Sequence, residues 1–225
     1  FSGQLRAGLH HYSAGTDALV RLTPDDHRNN WARRRNVASA YLAARLPVEA
    51  LRLLDEAERV ATVVGVEEAR QSPVPRMLRC VALTMQGRFQ AAAAEYKALE
   101  PALARASAIE RSRAIRCLAL GARLEARATD AVTLANSAVK SLEGQQVSVS
   151  ERASLQAELG LALLEAGDVT AADFALRTSR AEFSEGQVRP SPDVLDVELG
   201  LARVALSQGK KTEALALLEE ALKYW

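Results

Sequence analysis

An all-α solenoid of antiparallel helix pairs is the fold this sequence predicts, and three observations predict it. The first is repetition. The segment Leu201 to Gly209, followed by Glu213 to Leu222, has a counterpart at Leu159–Gly167 that runs on to Ala172 and Leu176. Another copy runs from Cys80 through Gly87 and Phe89 to Ala92 and Tyr96, and weaker ones surround Ala38, Tyr41, Ala50 and Leu54, and Ala119, Ala122, Ala131 and Ala135. The small residue opening each second helix falls at Ala50, Ala92, Ala131, Ala172 and Ala214, at spacings of 42, 39, 41 and 42 residues. A fixed period in that range marks stacked helical repeats, each of which buries its apolar face only against its neighbours. The second observation is composition: 48% of residues are hydrophobic but only 4% aromatic, with Ala and Leu dominant. Ala and Leu lose little on entering a helix, and small side chains let helix axes approach to roughly 8–10 Å. The third is that helix starts and stops are written at the places the period requires.

Taken in order, residues 1–22 carry an apolar pattern (Leu5, Leu9, Tyr12, Leu19, Leu22) and read as a partial N-terminal element, the broken end of a preceding pair. Thr23-Pro24-Asp25-Asp26 offers a capping Thr, a first-turn Pro and an acid three residues past the cap, so a helix is expected over 24–44. Pro47 opens its partner over 47–64. The Ser72-Pro73 entry starts 73–86, which turns at Gly87 into 88–104. The third pair spans 108–126 and 129–143. Ser148-Val149-Ser150-Glu151 reads as a capping box for 150–166, with 169–184 after Gly167. Ser191-Pro192-Asp193 opens 193–208, and 211–225 follows Gly209. Gly87, Gly167 and Gly209 suit left-handed C-caps. Arg45 and Ala126 stand at the equivalent places in the weaker copies, where the turns are expected to be built differently. The linkers Gly144–Val147 and Glu185–Arg189 are short and polar, so residues 23–225 read as one repeat domain.

With 29 basic and 28 acidic residues the net charge is +1, and no global field points to nucleic acid. Of the basic residues 24 are Arg, which reads as compositional bias of the source. Cys80 and Cys117, the two cysteines, sit at small buried positions of the pattern with no C-x-x-C or Cys/His cluster beside them, and read as separate buried thiols. His10, His11 and His27 lie away from any metal-ligand spacing, so no metal and no cofactor is expected. No apolar run reaches 18 residues and no signal-peptide pattern occurs, which gives a cytoplasmic expectation with no membrane contact by this stretch. The chain starts at Phe1 without an initiator Met and reads as a piece of a longer protein.

The order Leu-small-x-x-apolar-x-x-x-Gly-x-x-x-x-Ala-x-x-x-Leu/Tyr resembles the tetratricopeptide repeat. Leu159-Gly160-Leu161-Ala162-Leu163-Leu164-Glu165-Ala166-Gly167 carries it nearly whole. Cys80, Leu83, Gly87, Phe89, Ala92 and Tyr96 carry another copy, and Leu201, Ala202, Ala205, Gly209, Ala214, Leu218 and Ala221 the last. The resemblance covers residues 29–225. The standard repeat has 34 residues, whereas these run near 41, as in the longer-helix variant of kinesin light chains and of helical regions attached to bacterial signalling proteins. Gly200–Trp225 looks particularly like the latter, downstream of a Ser/Thr kinase or winged-helix domain. The resemblance implies a right-handed superhelix of about five repeats plus a partial one at the N-terminus.

It also implies that first helices line a concave ligand face. Carried over position by position, the inward set is Arg35, Ser39, Met77, Val81, Arg113, Arg116, Leu120, Arg123, Leu161 and Arg203. Arg113, Arg116 and Arg123 share one stripe of one helix, a pattern that holds a carboxylate through paired hydrogen bonds. The competing expectation is that these arginines pair with Glu from neighbouring helices. The family's five-residue clamp for a C-terminal carboxylate maps to Arg35, Ser39, Val81, Arg113 and Cys117. Arg35 and Arg113 fit it and the others do not, so a clamp for chaperone tails is not expected. Arg33-Arg34-Arg35 with Arg28 is basic, but three consecutive helical residues point three ways and no stacking aromatics accompany them, so nucleic acid is not an expected partner.

No G-x-S-x-G, Walker loop, H-E-x-x-H or kinase signature occurs, and steps such as Glu219-Glu220 read as exposed helix faces. No catalysis is expected of this stretch. The leading expectation is a protein- or peptide-binding scaffold within a larger bacterial signalling or transcription-regulating protein, its partner acidic or bearing a free carboxylate. The alternatives are a self-associating or spacing module, to which the terminal Tyr224-Trp225 points, and a small-molecule sensor using the groove.

Overall fold

Turns of one build punctuate the chain. Arg45 (φ 59°), Gly87 (70°), Ala126 (59°), Gly167 (84°) and Gly209 (76°) all take a left-handed backbone conformation. The N–H after each donates five residues back: Leu46 to Tyr41 O at 2.9 Å, Arg88 to Leu83 O at 2.9 Å, Arg127 to Ala122 O at 2.8 Å, Asp168 to Leu163 O at 3.0 Å and Lys210 to Ala205 O at 2.9 Å. This closing bond satisfies a carbonyl that a helix end otherwise leaves open. Five residues beyond each turn come Ala50, Ala92, Ala131, Ala172 and Ala214, all 5% exposed or less. The repeat period is therefore carried by turn and contact together.

The computed structural model describes residues 2–24, 26–65, 72–186 and 192–222. Among them are helices α1 (Ser2–Leu22), α2 (His27–Ala43), α3 (Pro47–Val64), α4 (Val74–Met85), α5 (Phe89–Leu103), α6 (Ala108–Leu124), α7 (Ala128–Lys140), α8 (Val149–Glu165), α9 (Val169–Glu185), α10 (Pro192–Ser207) and α11 (Lys211–Leu222), and no strand. The expectations on Asp25, Ser191 and Tyr224-Trp225, and on the end of the Glu185–Arg189 linker, lie outside the described residues. None of the described helices is long and apolar enough to cross a membrane.

Two compact units divide the chain, residues 1–105 and 106–225. In the first, α2 pairs with α3 and α4 with α5, α1 packs on α2, and α4 lies against both α2 and α3. Its core joins Val37, Ala38 and Leu42 of α2 to Ala50, Leu53 and Leu54 of α3 and Ala82 of α4. Trp31 packs separately on Ala57 and Ala61. In the second unit α6 pairs with α7, α8 with α9 and α10 with α11, and each second helix also packs on the next first helix. First helices touch their successors as well, α6 to α8 and α8 to α10. The largest core centres on Leu176 of α9, among Ala157, Leu161, Val197, Leu201 and Ala205. Bare backbone makes room for it: a Cβ on Gly160 would lie 2.6 Å from Leu176 Cγ, and one on Gly200 3.0 Å from Leu176 Cδ1.

Several expectations are corrected. Arg45 and Ala126 do not build different turns; they adopt the glycine conformation, held by the same closing hydrogen bonds. A side chain there costs about 1–2 kcal/mol. Ala126→Gly is therefore expected to stabilise the protein by about 0.5–1 kcal/mol, the strain relieved exceeding the added chain entropy of about 0.4–1 kcal/mol. Gly167→Ala is expected to cost about 1–2 kcal/mol, purely through the backbone, since no atom lies near its Cβ position. Urea denaturation checks both, and equal signs for the two variants would contradict the turn assignment.

Thr23 does not cap α2. Its hydroxyl donates back to Leu19 O at 2.8 Å, ending α1, and α2 begins only at His27. The fifth helix start missed the mark differently: Ser148 accepts the Glu151 N–H, but the Glu151 carboxylate goes elsewhere. A complete reciprocal box stands instead at Ser107 and Glu110, where the S-x-x-E spacing was readable. Helix α7 stops at Lys140, before the left-handed Gly144, three residues short of expectation.

Cys80 and Cys117 are unbonded to one another and 1% and 3% exposed. A thiol reagent is expected to label neither in native protein and both in denaturant; labelling of the native protein, read by mass spectrometry, would contradict this packing.

Candidate functional site

The first helix of each pair carries the residues expected to meet a ligand, and within each unit their surroundings differ. In the first unit, Arg35 lies with its guanidinium carbon 5.0 Å from the centre of the Trp31 ring and donates from Nη2 to Asn36 Oδ1 at 3.1 Å. Ser39, one turn on, is exposed. Val81 is half-buried against the α2–α3 core, and Met77 is 7% exposed, so both act as packing residues. The three consecutive arginines do diverge. Arg33 donates to Asn30 Oδ1 at 2.9 Å, Arg34 turns to Glu56 of α3, and Arg35 stacks on Trp31.

In the second unit, Arg113, Arg116, Leu120 and Arg123 share a stripe of α6, as expected, but the stripe is not acid-free. Arg113 grips Glu151 with both edges, Nε at 3.0 Å and Nη2 at 2.7 Å from Oε2. That hydrogen bond raises the Arg113 pKa against the opposing effect of burial. Arg123 Nε donates to Glu158 Oε1 at 3.0 Å, the two side chains being 14% and 10% exposed. Arg116 is the least engaged: its Nη1 is 3.6 Å from Asp193 Oδ2, an oxygen that also accepts the Ser154 hydroxyl at 2.9 Å. Leu120 is half-buried, and Leu161 is 7% exposed inside the core. Arg203 of α10 reaches back to Glu165 of α8 at 2.9 Å.

These pairs connect one first helix to the next. They correct the expectation of an acid-poor basic face, and they match the competing expectation of arginines paired with neighbouring acids. Glu151, Glu158, Glu165 and Asp193 went unread. The separations of 38, 35 and 38 residues fall short of the period by one to two helical turns, which is the signal that could have found them. A second carboxylate, Glu198, is 4% exposed; burial raises its pKa, and the Arg180 guanidinium at 2.9 Å only partly counters this. In the first unit Arg79 of α4, also unread, gathers Asp55 and Glu58 of α3 and Glu95 of α5.

His10 and His11 are exposed neighbours with ring centres 6.0 Å apart. Among the described residues no group of three or more His, Cys, Asp or Glu has the arrangement to hold a metal ion. The stripe can do two things chemically: tie successive helix pairs together, and offer Arg116, Arg203 and their partly exposed neighbours to a polar partner.

Comparison with known proteins supports the fold. No family model matches the sequence. No match to a curated protein is found either. Solved structures do match. BtubC (BKLC) from P. vanneervenii is similar at a TM-score of 0.64 with 19% identity, covering 98% of this chain and 90% of its own. The TPR-like repeats of a kinesin-light-chain-type protein from Podosopora anserina give a TM-score of 0.56 at 22% identity, with 88% and 96% covered. MamA from Desulfovibrio magneticus RS-1 gives 0.50 at 15% identity, with 86% and 94% covered. Together with the helix pairs, left-handed turns and buried alanines, these likenesses show that the chain has the fold of TPR-like helical-repeat proteins.

Proposed function

We propose that this chain is a non-catalytic protein- or peptide-binding module, and that its first-helix face receives the partner. The observation that carries this reading is the state of Arg116. It is about a third exposed, held only at 3.6 Å by an acid with another donor, and beside the half-buried Leu120. A guanidinium so placed can trade Asp193 for a carboxylate of a partner, with Leu120 covering an adjacent apolar group. Stacked helices bind extended segments along such faces, and this chain bears no motif that would do chemistry there. A display library of peptides selected against the purified chain tests it. Arg116→Ala should weaken the selected peptides by about 1.5–3 kcal/mol, most strongly at low salt. Absence of enrichment, or peptides indifferent to Arg116→Ala and Arg203→Ala, would overturn it.

The wider setting proposed is a larger bacterial signalling or transcription-regulating protein in the cytoplasm. It rests on the sequence resemblance of Gly200–Trp225, and a kinase or winged-helix domain in the flanking coding sequence would bear it out.

One observation favours a second reading, self-association. Leu199 and Leu206 of α10 and Leu215 and Leu222 of α11 are 38–70% exposed and recur at helical spacing. Exposed apolar stripes of this kind are commonly interaction surfaces. Sedimentation that remains monomeric up to high concentration would remove this reading.

A further inference from the structure

Between α2 and α3, away from the first-helix stripe of the second unit, a shallow cleft of about 240 Å³ is lined by Arg34, Glu56, Arg59 and Val60. Its charges do not balance. Arg34 has a side chain only 15% exposed, and its sole ion pair is a long one, Nε to Glu56 Oε2 at 3.4 Å. One terminal nitrogen, Nη1, is fully buried and has no acceptor. Glu56 is already engaged on its other oxygen by Arg52 Nη1 at 2.5 Å. Arg59, at the cleft's rim, is exposed and makes no ion pair among the described residues. Three guanidinium groups thus surround one carboxylate.

Buried donors without acceptors are uncommon in native proteins, and a buried guanidinium is the costliest kind to leave so. The missing partner must be an acceptor, and the surplus of positive charge says that it is an anion. The lining narrows its class. Val60 and the alkyl stems of Arg34 and Arg59 give the cleft an apolar wall, which suits a charged head on a short hydrocarbon stem. Glu56 at the site disfavours a dianion, and a planar carboxylate matches the free edge of a guanidinium. We propose that this cleft is a carboxylate-binding site for an acidic group of a partner polypeptide, with Arg34 as the buried anchor and Arg59 closing over the carboxylate from the rim. The proposal goes further than the binding-module reading and uses none of the same residues.

The test is titration of the whole chain, followed through the Nε–Hε resonances of its arginines in nuclear magnetic resonance, at fixed ionic strength. Acetyl-glutamate amide supplies a side-chain carboxylate, acetyl-dialanine a terminal one, and inorganic phosphate is the control. At least one carboxylate probe should move the Arg34 and Arg59 signals saturably, and whichever binds tighter names the source of the group. Arg59→Ala, a change at an exposed residue, should weaken that probe at least fivefold. Arg34→Lys, which keeps the charge and loses the fork, should weaken it at least as much. Arg34 signals that stay still, phosphate acting as well as carboxylate, or Arg59→Ala without effect would each overturn the site. Such a failure leaves the first-helix reading untouched, because that face is probed through Arg116 and Arg203.

Discussion

Gly160→Ala is expected to destabilise the second unit by about 1–3 kcal/mol, although the same change in an exposed helix would stabilise it by about 1 kcal/mol. The added Cβ would sit 2.6 Å from Leu176 Cγ and 3.1 Å from the Leu176 backbone nitrogen. The side chain cannot swing aside, because Leu176 is fully buried and Gly200 of α10 closes on it from the other flank. Either Leu176 leaves its rotamer or α8 and α9 separate. Gly200→Ala meets only side-chain atoms, at 3.0 Å and beyond, and should cost less. Leu176→Ala alone should cost about 2–5 kcal/mol through the cavity it leaves. In the double variant Gly160→Ala with Leu176→Ala the new methyl occupies part of that cavity, so the two losses should sum to less than their total. Denaturation curves for the four proteins measure this. Strict additivity would show that Gly160 and Leu176 do not meet.

That contact also shows what was legible in the sequence and what was not. The period came through because each repeat needs one place where helices nearly touch, and only Gly or Ala fits there; Gly160, Ala172 and Ala214 announce it. Two turns were misread because residue type is weaker evidence than position. Arg45 and Ala126 lack the freedom of glycine, yet the closing hydrogen bonds and the buried Ala50 and Ala131 beyond them impose the same left-handed backbone. The candidate site was half legible. Sharing a helix face follows from residue spacing alone, so Arg113, Arg116 and Arg123 could be grouped. Which acids meet them depends on how far one helix slides along the next, and long flexible side chains tolerate an offset of a turn or more. Thr23 failed for a related reason: a hydroxyl near two helix ends can serve either, and the end of α1 took it.

Arg123 marks where the site reading and the packing reading divide, and its replacement is expected to damage the fold more than any binding. With 14% and 10% of their side chains exposed, Arg123 and Glu158 form the most enclosed pair of the α6 stripe. A buried pair of this kind adds little net stability, because desolvation offsets most of its attraction. Breaking it is different. Arg123→Ala leaves the Glu158 carboxylate inside without its donor, and such uncompensated charges cost about 3–5 kcal/mol. Glu158→Gln with Arg123→Met removes both charges while keeping the volume, and should recover most of that loss. Arg113→Ala, at a pair whose arginine is half exposed, should cost far less, within about 1 kcal/mol. Chemical denaturation of these variants orders them. If Arg123→Ala proved harmless to stability while weakening a selected peptide, Arg123 would belong to the ligand face after all; the pairing with Glu158 predicts the reverse.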